Sequence, residues 1–244
     1  MIKLDRVSKT YFLGDEEVKA VDGVSLEIKK KEYVSILGPS GCGKSTMMHL
    51  IGLLEVPSSG KLLLEGKDVS RLSDDDLSEI RNRKVGFVFQ SFNLINKFTI
   101  WENVLMPTRY ARSSVDFNAE KNAEELLKRF GIWERRNFYP NKVSGGQQQR
   151  AAVARALIMK PSVILADEPT GNLDTASGDE IMDLLASLNK ELGVTIVVVT
   201  HELEIAEKTR RRIYMRDGKV VKETKQRKTL PANAFRCSKT TRRF

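Results

Sequence analysis

A glycine-rich segment between an apolar run and a helical pattern is the first place in this chain where residue types and spacing could do chemistry. Residues 38–45 fit G-x-x-x-x-G-K-[ST] and follow the apolar run from Tyr33 to Leu37. Glycines let the backbone turn tightly around an anion, so that N–H groups and a helix start point at phosphate oxygens. Lys44 adds a positive charge, and Ser45 adds a hydroxyl ligand for Mg²⁺. This segment predicts a nucleoside triphosphate site.

A second helix start about a hundred residues further on also has the features of an anion site. Ser144 and Gln147 have the S-x-x-Q spacing of a capping box, which a well-capped helix alone would explain. However, Gly145 and Gly146 lie inside that box, and each glycine costs roughly 0.5 to 1 kcal/mol relative to alanine. We therefore predict that this first turn leaves its backbone N–H groups open to a second phosphate contact.

Two adjacent carboxylates end the short apolar run that starts at Val163. The run has the character of a buried parallel strand, and neighbouring side chains of a strand point to opposite faces. Asp167 would then reach Mg²⁺, while Glu168 would face the terminal phosphate and polarise the attacking water. An Asp-Glu pair at a strand end is often only a solvated turn. With residues 38–45 in the same chain, the catalytic interpretation is favoured.

Taken together, the motifs of this chain resemble an ATP-binding cassette (ABC) ATPase. They occur in the family's order between about Tyr11 and Val221, with valine in place of the usual leucine at the start of the signature: Gly38–Ser45, Gln90 after Val85–Phe89, Val143–Gln147, Asp167–Glu168, Asn172–Asp174, and His201 after Thr195–Thr200. Within the family, residues 167–174 and 92–94 most resemble the lipoprotein-release, macrolide-export and cell-division type of transporter ATPase.

The resemblance implies an α/β fold, a P-loop NTPase core of ABC ATPase type with a mixed N-terminal β-subdomain and an inserted helical subdomain. The patterning agrees, because residues 1–90 alternate apolar and polar, residues 91–160 have helical signals, and strands alternate with a helix beyond Pro161. We predict an ABC ATPase domain over residues 1–221, with the helical signature-motif subdomain at about 91–160. Residues 222–244 are predicted to be a flexible, basic C-terminal tail.

Local signals add three expectations about helix and turn positions. Thr99 to Glu102 has capping-box spacing, and Asp116 is a candidate cap for a helix that Gly131 ends. The pair at residues 217–218 is typical of a hairpin turn.

The resemblance also implies roles for individual residues. The implied catalytic residues are Lys44, Gln90, Glu168 and His201. The implied magnesium ligands are Ser45, Gln90 and Asp167, with Gln90 also at the position that couples nucleotide state to a membrane partner. The implied nucleotide-binding residues are Tyr11, Gly38, Pro39, Ser40, Gly41, Cys42, Gly43, Lys44, Ser45, Thr46, Ser144, Gly145, Gly146, Gln147 and Asp174.

Structural alternatives exist for three of these residues. Tyr11, which the family would stack on adenine, could simply pack at a strand end. His201, which would contact the γ-phosphate, could be structural, and Asp174 could serve only as a helix N-cap.

The resemblance implies ATP and Mg²⁺ as cofactors and two kinds of partner. A second copy would pair head to tail, so that Ser144, Gly146 and Gln147 close over the ATP held by the other copy. An integral membrane permease would be the other partner, which implies a cytoplasmic protein bound at the cytoplasmic face of the membrane. The alternatives are a soluble ABC-type ATPase acting on nucleic acid or ribosomes, and a signalling complex without transport.

Composition agrees with a soluble enzyme. The chain is 41% hydrophobic and 30% charged, lacks 18 consecutive apolar residues, and shows no apolar signal region at its start, so we expect no membrane crossing. Residues 219–244 carry nine Lys or Arg and one Glu, most of the net charge of +9. That segment is typical of a flexible tail, although attraction to anionic lipid or nucleic acid is an alternative. Its few aromatic residues make nucleic acid an unlikely partner.

The two cysteines, Cys42 and Cys237, give no disulfide framework. Cys42 lies beside a lysine and a helix start, which favour a reactive thiolate. We therefore expect that its alkylation blocks ATP binding.

Overall fold

Two sheets form from strands in which buried and exposed side chains alternate or in which every residue is buried. The computed structural model describes residues 1–14 and 16–225. Within these residues the strands are β1 (Ile2–Leu13), β2 (Glu16–Ile28), β3 (Tyr33–Leu37), β4 (Ser59–Leu64), β5 (Lys67–Asp68), β6 (Val85–Phe89), β7 (Val163–Asp167), β8 (Thr195–Thr200), β9 (Arg211–Arg216) and β10 (Lys219–Lys225).

Along the sequence, most of the helices lie between strands of the larger sheet. In the described residues they are α1 (Lys44–Ile51), α2 (Asp74–Lys84), α3 (Ile100–Arg109), α4 (Ala119–Arg129), α5 (Gly145–Leu157), α6 (Thr175–Leu192) and α7 (Leu203–Glu207). Two short 3₁₀ turns, Trp133–Arg135 and Pro140–Lys142, connect α4 to α5.

The smaller sheet, called sheet A here, is antiparallel with the strand order β2-β1-β4-β5. Val24, Leu26 and Ile28 of β2 are buried while the residues between them are exposed. This alternation is that of a sheet with one covered face and one solvated face. The predicted mixed N-terminal β region therefore contains a complete sheet of its own.

The larger sheet, called sheet B, has the order β10-β9-β3-β8-β7-β6. The five strands from β9 to β6 run parallel, and only β10 is antiparallel. All five residues of β3 and all six of β8 are buried, as expected for parallel strands covered on both faces. The carboxyl ends of the parallel strands consequently meet at one edge.

Separate apolar cores cover the two faces of sheet B. Alternate residues of β8 divide between them: Val197 and Val199 join the core shared with sheet A and α1, whereas Ile196 and Val198 join the core formed with α3 to α6. Because each core contacts a different set of alternate side chains, the register of sheet B is fixed from both faces.

A buried asparagine organises the chain between sheet B and the helical part. Asn103 of α3 is 0% exposed. Its Nδ2 donates to the carbonyls of Ile95, Phe98 and Thr99 at 2.9 to 3.1 Å, and its Oδ1 accepts from the Ile95 N–H at 2.8 Å. One side chain thereby satisfies four backbone groups of an irregular segment.

Several local predictions agree with the structure and others need correction. The capping box at Thr99 is present, and the predicted hairpin joins β9 to β10. Asn118, and not Asp116, caps the helix before Gly131. Helix α2 was not predicted, because Leu77 is its only fully buried residue and leaves no apolar period to read.

The predicted boundary at residue 221 lies inside β10, which continues to Lys225. Residues 226–244, the rest of the predicted tail including Cys237, lie outside the described residues. In the described part of the chain, no helix combines the length and the hydropathy that crossing a lipid bilayer requires.

We predict that Asn103→Ala lowers the free energy of unfolding by about 2 to 4 kcal/mol, because it leaves several buried backbone groups without a partner. Urea denaturation followed by circular dichroism measures this loss. Asn122→Ala is the matched control, since Asn122 donates a single bond, to the Ile158 carbonyl at 2.9 Å. It should cost about 1 kcal/mol, and equal losses for the two variants would contradict the role given to Asn103.

Candidate functional site

The register of sheet B brings the predicted motifs to one edge. Leu37 of β3 pairs with Thr200 of β8, and Asp167 of β7 lies opposite Val199 of β8 and Phe89 of β6. The residues that follow these strand ends are Gly38, Gln90, Glu168 and His201. Four motifs that are far apart in sequence therefore start side by side.

The loop from residue 38 to residue 43 lies tightly against the backbone of its neighbours. A Cβ at Gly43, whose φ is 98°, would lie 2.0 Å from the Ala20 carbonyl oxygen. A Cβ at Gly38 would lie 2.3 Å from the Met215 carbonyl oxygen. No side chain fits at either position, so the glycines are required by close backbone approach as well as by backbone angle.

The side chain of Lys44 lies back over this loop. Its ammonium donates to the carbonyls of Gly38 and Pro39 at 2.8 and 2.9 Å. Ser45, in the first turn of α1, is exposed. The loop thus presents a buried lysine and an accessible hydroxyl at the amino end of a helix, which is the arrangement that binds phosphate groups.

Cys42 does not have the accessibility that its sequence position suggested. It is 4% exposed and belongs to the apolar core below the loop. The Cβ built at Gly38 would lie 2.6 Å from its sulfur, which shows how closely the thiol is enclosed. The structure therefore leaves little of this thiol accessible in the folded loop, while the block of ATP binding by its alkylation stays a prediction.

Glu168 and His201 form one hydrogen-bonded unit. One carboxylate oxygen of Glu168 accepts from the Thr200 hydroxyl at 2.9 Å. The other accepts from the His201 backbone N–H at 3.1 Å and lies 2.7 Å from Nδ1 of that ring. The Glu168 side chain is 15% exposed, whereas the ring of His201 is 59% exposed. The Thr200 hydroxyl and the His201 N–H thus fix the carboxylate of Glu168, while the imidazole of His201 faces solvent.

The chain turns between Asp167 and Glu168, and this turn separates the two carboxylates. The alternation of side chains along a strand does not explain their separation. β7 ends at Asp167, and Glu168 has a left-handed backbone with φ of 44°. Burial raises the pKa of Asp167, and the Glu168 charge raises it further, while the charges of His49 and Lys44 act in the opposite direction. An added cation at this position would relieve that unfavourable burial of charge.

Gln90 contacts the segment that follows Glu168. The side chain of Asn172 donates to the Gln90 carbonyl at 3.1 Å, and the two side-chain amides lie 3.5 Å apart. A Cβ at Gly171 would lie 2.6 Å from Nε2 of Gln90. A change in the backbone after Glu168 would therefore move Gln90.

Ser144 and Gln147 form the predicted capping box at the start of α5. The Ser144 hydroxyl accepts from the Gln147 N–H at 3.3 Å, and the Gln147 side chain accepts from the Ser144 N–H at 3.1 Å. Within the described residues, no hydrogen bond connects either residue to residues 38–46. Gly145 and Gly146 of this first turn pack instead beside Leu173 and Ser177.

Asp174 is the N-cap of α6, and its carboxylate accepts from the Ser177 N–H at 3.0 Å. That hydrogen bond holds the pKa of Asp174 below its usual range. The structural alternative for Asp174 is therefore present, beside the first turn of α5.

Tyr11 of β1 is half-buried and lies near Thr46 of α1. Its hydroxyl donates to Oε2 of Glu55 at 2.6 Å. Burial and this hydrogen bond raise the pKa of Tyr11, and the hydroxyl of Thr46 acts against them. The ring thus lies next to the helix that begins with Lys44.

Two residues of α5 that no sequence motif singled out connect these parts. Gln149 is 0% exposed and donates to the Pro169 carbonyl at 2.6 Å and to the Phe89 carbonyl at 3.4 Å. Arg155 donates to the carbonyls of Phe92 and Asn93. These bonds join positions 20 to 63 residues apart, so no local pattern in the sequence could have revealed them.

Known proteins with similar sequences identify the family. A family model described as ABC transporter matches residues 21–171. Over 226 residues the chain is 50% identical to a macrolide export ATP-binding/permease protein, MacB, of Chlorobaculum tepidum, covering 93% of this chain but 34% of that protein. It is 45% identical to a lipoprotein-releasing system ATP-binding protein, LolD 1, of Rhodopseudomonas palustris, covering 90% and 98% of the two chains.

A solved structure agrees with the fold. The dimeric structure of a post-hydrolysis state of the ATP-binding cassette MJ0796, bound to ADP and Pi, has a TM-score of 0.85 and 47% identity to this chain. It covers 93% of this chain and 99% of that one. The predicted fold class and the predicted resemblance are thus confirmed. The chain is an ATP-binding cassette and belongs to the ABC transporter family.

Proposed function

We propose that this chain is the ATP-hydrolysing subunit of an ABC transporter whose paired cassettes drive a membrane permease, for export or extraction of a lipid-linked, peptide or drug-like substrate. The observation that carries the proposal is the edge of sheet B, where the loop that Lys44 closes starts next to the strand end that leads to the bonded pair of Glu168 and His201. A phosphate loop binds a triphosphate, but a carboxylate positioned by an imidazole at the same edge adds the means to hydrolyse it.

The proposed hydrolysis assigns a separate task to each side chain. Lys44 neutralises the β- and γ-phosphate oxygens, and Glu168 accepts the proton of the attacking water. His201 contacts the γ-phosphate and keeps Glu168 oriented through the 2.7 Å contact of its Nδ1. Tyr11 provides the ring that stacks on adenine, since it lies beside Thr46 at the start of α1.

The residues at the edge also fit Mg²⁺. Ser45, Gln90 and Asp167 offer hydroxyl, amide and carboxylate oxygens, the hard donors that this ion prefers. The raised pKa of Asp167, caused first by burial, is consistent with a carboxylate that a cation would stabilise. Bound there, Mg²⁺ would neutralise charge on the triphosphate, while these side chains hold its position.

A second copy supplies the remaining phosphate contacts in this proposal. Ser144 and Gln147 are exposed or half-buried and bond to each other, and the glycines between them leave the first turn of α5 open. Because the cassette MJ0796 was solved as a dimer bound to ADP and Pi, a head-to-tail pair is the arrangement we propose. The start of α5 then faces the γ-phosphate held by the other chain, with Asp174 at the same interface.

A surface groove lined by Phe89, the residue before Gln90, is the proposed contact for the permease. The groove has a volume of about 420 Å³, and its lining includes Leu54, Phe89, Met106 and Tyr110. Tyr110 is 71% exposed and Leu54 is 44% exposed, an unusual apolar surface for a protein without a partner. We infer that the chain acts at the cytoplasmic face of the membrane through this groove.

The names of two relatives support a permease partner. MacB of Chlorobaculum tepidum is named an ATP-binding/permease protein, and the chain spans about a third of its length. LolD 1 is named as an ATP-binding protein of a lipoprotein-releasing system and is matched over 98% of its length. A permease partner and an export or extraction function are therefore the version that we propose for this chain.

We predict that Glu168→Gln lowers the ATP hydrolysis rate roughly 10²- to 10⁴-fold, because the general base is lost. ATP binding is retained, so the closed dimer accumulates. Phosphate release and size-exclusion chromatography with ATP measure the two effects. Glu204→Gln, at an exposed carboxylate of α7, is the control and should behave like the parent. Hydrolysis by Glu168→Gln at the parent rate would remove Glu168 from its role.

We predict that Gly146→Asp, added to Glu168→Gln, abolishes the ATP-dependent dimer while the isolated chain keeps its ATP affinity within about threefold, because the new carboxylate repels the partner's nucleotide. The nearest atom to a Cβ at this position is the Ser177 side-chain oxygen at 3.3 Å, a close contact that a small movement of that hydroxyl would relieve. Analytical ultracentrifugation and calorimetry provide the readouts.

Lys121→Asp, at an exposed position of α4, is the control for added negative charge and should still dimerise. A stable ATP-bound dimer of the Gly146→Asp variant would show that α5 does not face the partner's nucleotide.

We predict that Tyr110→Asp reduces recovery of the permease with this chain at least about tenfold, because a charge replaces an aromatic anchor. ATP hydrolysis by the isolated chain should stay within about twofold of the parent. Co-purification from detergent-solubilised cells, followed by mass spectrometry, measures recovery of the membrane protein. Tyr139→Asp is the control, because Tyr139 is 49% exposed and lies outside the groove. Equal recovery with both variants would exclude the groove.

A further inference from the structure

The carboxylate of Glu55 lies between the strand that carries Tyr11 and the helix that follows the phosphate loop. Oε2 accepts from the Tyr11 hydroxyl at 2.6 Å and lies 3.1 Å from the Lys9 ammonium. Oε1 lies 3.3 Å from Nδ1 of His49. Three side chains from two different elements therefore converge on one carboxylate.

These contacts connect sheet A to the start of α1. Lys9 and Tyr11 belong to β1, whereas His49 lies on α1 four residues after Ser45. Lys9 also donates to the Val56 carbonyl at 3.1 Å, which fixes the backbone beside Glu55. The position of the Tyr11 hydroxyl is thus set relative to the helix that binds phosphate.

The carboxylate is suited to hold this hydroxyl. Burial alone would raise the pKa of Glu55, but the hydrogen bonds from Tyr11, Lys9 and His49 outweigh it and hold the pKa below its usual range. Glu55 is therefore ionised at neutral pH, and a hydroxyl that donates to a carboxylate makes a shorter and stronger bond than one between neutral groups. Its side chain is 25% exposed and that of Lys9 is 17% exposed, so solvent screens the cluster only in part.

A tyrosine near the end of a long hairpin would otherwise have freedom to change rotamer. Tyr11 is only half-buried, so packing alone does not fix the position of its ring. A ring that must be ordered when the base binds lowers the affinity, whereas a ring already held in place does not. The ammonium of Lys9, 5.3 Å from the ring centroid, adds a second restraint.

We propose that Glu55 is a positioning residue that holds the ring of Tyr11 in place for the adenine base. The proposal rests on the proposed contact between Tyr11 and adenine. It predicts an effect on ligands that contain the base and none on ligands that contain only the phosphates.

The test compares ATP with inorganic triphosphate, each with Mg²⁺, by isothermal titration calorimetry on the full chain. Glu55→Ala should raise the Kd for ATP about threefold to tenfold, the range for the net loss of one hydrogen bond. The Kd for inorganic triphosphate should stay within about twofold, and KM for ATP should rise while kcat does not change. Equal weakening of both ligands would overturn the proposal, since it would mean that Glu55 supports the phosphate loop itself.

A double-mutant cycle tests whether the effect passes through the hydroxyl. Tyr11→Phe keeps the ring but removes the donor, so it should weaken ATP binding as Glu55→Ala does. Glu55→Ala in the Tyr11→Phe background should then add less than about twofold. A further full loss in that background would overturn the proposal.

Two further variants separate this inference from the assignment on which it rests. Tyr11→Ala should weaken ATP binding more than Glu55→Ala, and an unchanged Kd would remove Tyr11 from the base site and this inference with it. If Tyr11→Ala weakens binding and Glu55→Ala does not, only the role of Glu55 is wrong. Glu65→Ala is the matched control, because Glu65 pairs with Lys84 at 3.1 Å and is 28% exposed, and it should leave the Kd for ATP unchanged.

Discussion

The parallel register of sheet B is the constraint on which the site depends. Leu37, Asp167 and Thr200 end neighbouring strands at one edge, so the loop, the carboxylates and His201 begin at the same level. A slip of one residue would turn every side chain of a strand to the opposite face. Two different cores bury the alternate residues of these strands, and both oppose such a slip. Apolar side chains that never touch a nucleotide therefore place the groups that would.

Helix α5 also fixes the loops of the site, through two buried polar side chains, Gln149 and Arg155. Burial lowers the pKa of Arg155 to about 10, so its guanidinium remains charged at neutral pH. The carbonyls of Phe92 and Asn93 accept its hydrogen bonds, and both residues have left-handed backbones with φ of 59° and 49°. Because a buried charge is costly unless it is bonded, the loop after Gln90 is fixed to the helix that begins with the signature motif. A shift of α5 against a partner's nucleotide would therefore move that loop.

How much the sequence predicts follows from the range of each interaction. The phosphate loop, the capping box at Ser144 and the strand ahead of Asp167 are local patterns and could be predicted. Helix α2 could not, because an exposed helix with few buried residues has no apolar period. The burial of Cys42 depends on its packing below the loop, and the contacts of Glu55 reach 44 residues back along the chain. Residues whose roles depend on tertiary contacts have no signature in one sequence.

Within one chain, the two helix starts that are proposed to bind phosphate lie apart. This separation determines when the proposed dimer closes and when it opens. One chain holds the loop and the bonded pair of Glu168 and His201, but its own signature turn makes no hydrogen bond to that loop among the described residues. In the proposed dimer, closure therefore requires a nucleotide whose γ-phosphate spans both chains, and hydrolysis removes that link. Gln90 contacts Asn172, and Phe89, the residue before Gln90, lines the exposed groove. Loss of the γ-phosphate would thus loosen the dimer. Through Gln90, the same loss would also affect a partner bound in the groove.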